Sequence, residues 1–301
     1  MLAKNLLIIP DDAYVKSINN TFIEYDLEGK NLVGFEPQTE CLVDECVDDS
    51  RPNFRPFGVC EHKGDLLIAS HTKVAAFYSG DKNPKPVLDY PLFLNTHQMC
   101  SDGETLFISN TSVDTIGMHN DSGTTYYNVR TGDFSEECKK AFNCDIRDSK
   151  HVNALTVDDG FLYYCMHNLN VEQSNFGRIN LANMTNEHLF DCGVCCHDVL
   201  IYNNTLYSNS SGNGFLIAHN LETNKTKTYE ITNPETNFLR GLVEYDGQIL
   251  VGVSNNQKRC AEANNSHIFA FNPNTFEYKH FMAVPDVLSI VDMIVINKGG
   301  E

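Results

Sequence analysis

The sequence predicts an all-β fold, a single β-propeller spanning residues 1–301, with six four-stranded blades and five or seven as the neighbouring counts. Three observations predict it. Helical periodicity is scarce, while short β-branched and aromatic runs punctuated by turn residues recur from end to end. Five segments share one plan of apolar strand, polar turn and apolar strand: RPFGVCEHKGDLLIAS, THQMCSDGETLFISN, HVNALTVDDGFLYYCM, CHDVLIYNNTLYSNS and LRGLVEYDGQILVGVS. With Phe57, His97, Asn153, His197 and Arg240 as matching positions, they recur at intervals of 40, 56, 44 and 43 residues, the spacing of propeller blades. A pair of irregular β-sandwiches is the competing arrangement.

In chain order, the stretch from Asn5 to Glu36, with KNLLII, YVKSI and TFIEYDL, supplies the outer strands of a shared blade. Thr39 to Asn53, acidic and carrying Cys41 and Cys46, reads as a surface excursion. The five copies follow, their turns HKGD, SDGE, DDG, YNN and YDG rich in the Gly, Asn and Asp that tolerate positive φ. Gly132 to Lys150 reads as a second excursion, and SNSSGNG as a hairpin bend rather than an anion loop. The terminal VLSIVDMIVIN provides an inner strand beside the N-terminal segment, so the N- and C-terminal strands close the ring and remove a free sheet edge.

Charge narrows the function classes. Against 40 acidic residues stand 22 Lys and Arg, a net charge of −18, which repels phosphate backbones and anionic lipid and so argues against nucleic acid or a membrane surface as partner. No apolar stretch approaches the roughly 20 residues needed to span a bilayer, and MLAKNLLIIP lacks a cleavage pattern, so a cytoplasmic protein is expected. Eleven cysteines at irregular spacings then read as reduced thiols. The run CGVCCH, Cys192 to His197, carries thiols and an imidazole at zinc-compatible spacing, but no second knuckle accompanies it, and buried strand thiols are the simpler reading.

The chemistry is expected where first strands open onto the channel. Arg55 with Phe57, His97, His151 with Asn153, His197, and Arg240 stand at the starts of otherwise apolar strands, where polar groups are costly to bury without partners. His97, His151 and His197 are the candidate catalytic residues and the candidate ligands of one divalent metal ion; Arg55, Asn153 and Arg240 are the candidate substrate-binding residues. His151 lies two residues, about 6.6 Å, up the strand from Asn153 unless a longer turn brings it level with the other imidazoles. Level, the three suit a metal with open positions; otherwise they suit a general base beside Arg anion clamps. His62, His71, His119 and His219 fall near hairpins and are expected at the surface, Asp11 with Asp12 and Asp48 with Asp49 in solvated turns, and Asn255 to Arg259 at the rim. No Gly-x-Ser-x-Gly elbow, phosphate loop, dinucleotide fingerprint or His-Glu-x-x-His appears.

The motifs RPFGV, THQM, HVNAL, NNTLYSNSSGNG, FLRGLVEYDGQILVGVSNNQKR and VLSIVDMIVINKGG, in that order, resemble the uncharacterised bacterial β-propeller family related to DUF4915 over most of residues 54–297. The chain departs from it in having no Trp, in its extra cysteines and in its N-terminal segment. The resemblance implies that Arg55, His97, His151, Asn153, His197, Arg240 and Asp292 occupy recurrent positions, which adds Asp292 to the substrate-binding candidates; it implies no reaction. The expected function is a metal-assisted or acid–base lyase or hydrolase acting on a small anionic or polyhydroxylated compound. The alternative is a non-catalytic propeller that binds a ligand or a protein partner.

Overall fold

The computed structural model describes residues 4–10, 20–28, 31–37, 57–69, 74–77, 85–88, 96–135, 150–255, 265–285, 287 and 289–297. These form six antiparallel sheets. Blade 1 comprises Gly58–His62, Asp65–Ala69, Val74–Phe77 and Lys85–Leu88; blade 2 comprises Thr96–Ser101, Leu106–Asn110, Thr115–Asn120, Gly123–Asn128 and a short fifth strand, Phe134–Ser135. Blade 3 is Val152–Asp158, Phe161–Met166, Asn175–Asn180 and Asn186–Asp191; blade 4 is Cys196–Tyr202, Thr205–Ser210, Phe215–Asn220 and Lys225–Glu230. Blade 5 is Asn237–Tyr245, Gln248–Asn255, Ser266–Phe271 and Tyr278–Val284. In blade 6 the C-terminal Ile290–Asn297 is innermost and pairs with Lys4–Pro10, followed outward by Asn20–Asp26 and Asn31–Pro37. First strands of successive blades touch around a complete ring, so the molecule is a β-propeller closed by its two ends.

The hairpins form because their turn residues fit them. Lys63–Gly64, Asp159–Gly160, Asn203–Asn204 and Asp246–Gly247 all have both residues at positive φ, the mirror-image turn that matches the right-handed twist of the strands. Alternation then sends neighbouring side chains to opposite faces of a blade. Leu106 packs toward blade 1 and Phe107 toward blade 3, and the core is six apolar wedges, one at each seam between blades.

Five of the six seams also carry a polar tie to a backbone group. Thr111 Oγ1 donates to Val152 O at 2.7 Å, Cys196 N to Ser174 Oγ at 3.1 Å, Ser211 Oγ to Leu239 O at 2.5 Å and Ile290 N to Ser254 Oγ at 2.8 Å. At the closing seam Val59 N donates to Asp292 Oδ2 at 3.0 Å. These hydroxyls and the carboxylate satisfy backbone groups that no sheet partner reaches.

His219 corrects an expectation: it is buried, with its ring stacked 3.9 Å from that of Phe190 and Nδ1 on Thr226 Oγ1 at 2.9 Å. Its strand position turns it into the seam with blade 3, where the face of Phe190 receives it. His62 and His119 are half-buried. Arg55, His71, the Asp11–Asp12 and Asp48–Asp49 pairs, the Thr39 to Asn53 segment and residues 256–259 lie outside the described residues. Cys60, Cys100, Cys165, Cys192, Cys195 and Cys196 carry free thiols. Among the described residues no helix is long and apolar enough to cross a membrane.

Candidate functional site

The inner strands of blades 2 to 5 break register at the same level: between Thr96 and Met99, Val152 and Ala154, His197 and Leu200, and Leu239 and Leu242. The residues in these bulges are His97 and Gln98, Asn153, Asp198 with Val199, and Arg240 with Gly241. A bulge leaves its extra residue out of the ladder and re-aims the side chain, which is how polar groups leave an otherwise apolar strand to enter the channel. Blade 6 skips Val291 in the same way.

The freed backbone groups are met locally. Ser109 Oγ accepts from His97 N at 3.1 Å and Gln98 N at 2.8 Å and donates to Gln98 O at 3.0 Å. Ser208 Oγ donates to His197 O at 3.2 Å. Opposite Arg240 stands Gly252, where a Cβ would lie 2.1 Å from Arg240 O, so the blade 5 bulge tolerates no side chain there.

Phe57, His97, Gln98, Asn153, His197, Asp198, Arg240 and Val291 together line a small pocket at the channel. Every blade contributes to it. Asn153 Nδ2 donates to Cys196 O at 3.2 Å, which leaves Oδ1 to accept from His97 Nδ1 at 2.9 Å. His97 therefore donates from Nδ1, and Phe57 stacks on the ring at 4.8 Å. Arg240 Nη2 lies 2.8 Å from His197 Nε2. A guanidinium only donates, so His197 carries its proton on Nδ1, which meets Cys195 O at 3.0 Å and Ser211 Oγ at 2.9 Å. Burial, with the charge of Arg240 next, pushes His197 well below the usual imidazole range, so it is neutral.

Asp198 takes donors on both oxygens: Gln98 Nε2 at 2.6 Å, Asn209 Nδ2 at 3.0 Å and Gly241 N at 3.0 Å. Burial pushes its carboxyl up to about 6 against the pull of Asn209 and Arg240. Its bond to Gln98 crosses from blade 4 to blade 2.

His151 neighbours His97. It stands one residue before its strand at φ +56, with its amide on Asp114 Oδ1 at 2.8 Å, and its ring lies 5.0 Å from that of His97. The row continues through His167, 4.9 Å from His151 and 5.2 Å from His197, so four imidazoles span blades 2 to 4. His151 does not line the pocket.

His167 is the residue that sequence reasoning missed. It follows the second strand of blade 3, Phe161–Met166, outside the repeated first-strand position. Its Nε2 lies 2.6 Å from Cys195 Sγ, while its Nδ1 is buried without a hydrogen-bond partner. Burial, then His151 and Arg240, lower its pKa to about 3. Among the described residues, His167, Cys195 and His197 are the group that could hold a metal ion, their ligand atoms all within 4.8 Å of one another. His97 and His151, expected as ligands, are not in that group; His197 is. Asp292, expected to bind substrate, accepts from the Val59 and Met293 amides at the closing seam and does not line the pocket.

No family model matches the chain, and no curated protein matches it. Solved structures do. The chain is similar to a structure from a nidogen/laminin complex, with a TM-score of 0.68 at 10% identity over 97% of this chain and 98% of that one. It is also similar to a protein of unknown function from Bacteroides caccae, with a TM-score of 0.67 at 11% identity over 98% and 99%. A third similarity is to a catalytically inactive histidine-to-alanine variant of virginiamycin B lyase from Staphylococcus aureus with quinupristin, with a TM-score of 0.53 at 16% identity over 75% and 69%. At these identities the likeness carries the β-propeller fold alone.

Proposed function

We propose that the protein is an enzyme that binds a small anionic compound in the channel pocket and moves protons on it with neutral imidazoles. The observation that carries this reading is Arg240: a guanidinium set on a bulge, in a pocket to which all six blades contribute, beside two histidines whose protons are already placed. Guanidinium is the side chain best shaped for a carboxylate, sulfate or phosphate. An anion that draws Arg240 off His197 also removes the donor from Nε2 and neutralises the adjacent positive charge, so the imidazole becomes basic as substrate arrives. His97 supplies a second imidazole, its ring fixed by Asn153 and Phe57. In a lyase step the base takes a proton from the carbon beside the bound carboxylate, the C–H electron pair becomes the new double bond, and the leaving group departs with a proton from the imidazolium. In a metal-assisted version one divalent ion would polarise an oxygen of the same substrate.

Virginiamycin B lyase is a propeller enzyme of the lyase class, a parallel in chemistry and not a transfer of its reaction. The motif resemblance supports kinship with the DUF4915-related family as a further part of this reading. A non-catalytic binding propeller is the alternative, and the whole-chain likeness to a structure from a nidogen/laminin complex is the observation that favours it.

The test is calorimetry against small mono- and dicarboxylates, phosphate and sulfate. At least one should bind, with affinity falling about tenfold or more in Arg240→Gln, the worth of one charged hydrogen-bonded pair. No binding by any of them, or undiminished binding by the variant, overturns the reading; a bound anion recovered chemically unchanged favours the module.

A further inference from the structure

We infer that His167, Cys195 and His197 form a seat for a thiophilic divalent ion of the zinc class, with a fourth coordination position left for water or substrate. The three are buried, and their ligand atoms lie within 4.8 Å of one another. Tetrahedral zinc, about 2.0–2.3 Å from each ligand, needs those atoms roughly 3.5 Å apart, so shifts on the order of 1 Å that part the His167–Cys195 pair, now at 2.6 Å, and draw in the more distant ligand seat the ion. One sulfur and two imidazole nitrogens favour zinc or cobalt over magnesium, calcium or manganese, which prefer oxygen. Three protein ligands with one open position is the arrangement of catalytic rather than structural zinc.

The backbone around the trio is held in costly conformations. Cys195 sits at φ +56, its carbonyl accepting from Ser211 N at 3.2 Å. His167 is followed by Asn168, Leu169 and Asn170, all at positive φ. Runs of left-handed residues other than glycine persist where the surroundings fix them, and such strain gathers at functional sites. The shell around His197 fits as well: Nδ1–H is spent on Cys195 O and Ser211 Oγ, the backbone-and-hydroxyl orientation common behind ligating imidazoles, which leaves Nε2 for the ion.

Two exchanges accompany binding. The proton shared between Cys195 Sγ and His167 Nε2 leaves to solvent as the thiol becomes a thiolate ligand, so loading releases one proton per ion. Arg240 gives up His197 Nε2 to the ion and turns to the pocket. Metal and guanidinium therefore compete for one nitrogen, and removing the guanidinium should tighten metal binding while it weakens anion binding. The inference does not depend on the anion reading, because metal uptake is measured without any anion.

The test uses the full chain, stripped with chelator under reducing conditions and titrated with Zn²⁺, then with Co²⁺ as a spectroscopic stand-in. Expected are one bound equivalent, a thiolate-to-cobalt charge-transfer band, and loss of both in Cys195→Ser and His167→Ala, with uptake retained in His151→Ala. Arg240→Gln should bind Zn²⁺ more tightly than wild type. In the unmutated protein Zn²⁺ should also protect Cys195 from alkylation, read by peptide mass spectrometry, which keeps the test alive if a variant does not fold. No uptake, uptake unchanged in Cys195→Ser, absence of the charge-transfer band, or an equal response to Mg²⁺ overturns the inference.

Discussion

Asp292 accepts hydrogen bonds from two backbone amides, yet burial, with nearby Asp198 next, holds its carboxyl well above the ordinary carboxylate range. A carboxyl raised on folding contributes its stability in full below its unfolded value, about 3.9, and loses it as pH rises through the folded value. Asp292→Asn cannot ionise, so its melting temperature should fall less steeply than that of wild type as pH rises from about 4 to 8. Parallel curves for the two proteins would remove Asp292 from the account. Asp292 also shows where residue-level reading stops. His97, Asn153, His197 and Arg240 were legible because each repeats at one position of a repeated segment, and the pocket gathers all four. His167 had no counterpart in the other copies to expose it. Cys195 stood in a run already weighed for zinc, but its partner across the fold is 28 residues away in sequence, and only the seam between blades 3 and 4 joins them. His219 was misjudged because a hairpin address says nothing of which face a side chain takes.

The element that builds the site is the bulge. The repeat was readable, whereas the register shift was not, because an extra residue changes neither the composition nor the length of a strand noticeably. A trace exists in hindsight: THQM, CHDV and LRGL each set two polar or small residues side by side where a half-buried strand should alternate. Gly252 tests the device. An added methyl would meet Arg240 O at 2.1 Å, and only a backbone shift relieves it. Gly252→Ala should cost about 1–3 kcal/mol in denaturant unfolding and should lower anion affinity by moving Arg240. A variant as stable as wild type, with anion binding intact, would show that the bulge does not fix the site.

At the scale of the molecule, the closing blade holds the ring. Its outer strands supply Leu6, Ile8, Tyr25 and Leu27 to the wedge shared with blade 5, where they cover Leu250, Ile268 and Met282. Closure by the two ends was foreseen from the strand-like character of both, since a propeller with an open blade would leave a sheet edge and an apolar face unpaired. Deleting residues 1–37 should replace the cooperative melt by a broad one and expose surface that binds a hydrophobic dye; a sharp melt at the wild-type temperature would contradict that role. The six-fold layout has an evolutionary corollary. Because blades 2, 3 and 5 send His97, Gln98, Asn153 and Arg240 to the pocket from bulges in strands whose remaining residues serve the core, this part of the lining can be rewritten while the apolar wedges stay intact. A library that varies His97, Gln98, Asn153 and Arg240 together samples new ligand preferences on one scaffold, as a lock is re-keyed by exchanging its pins.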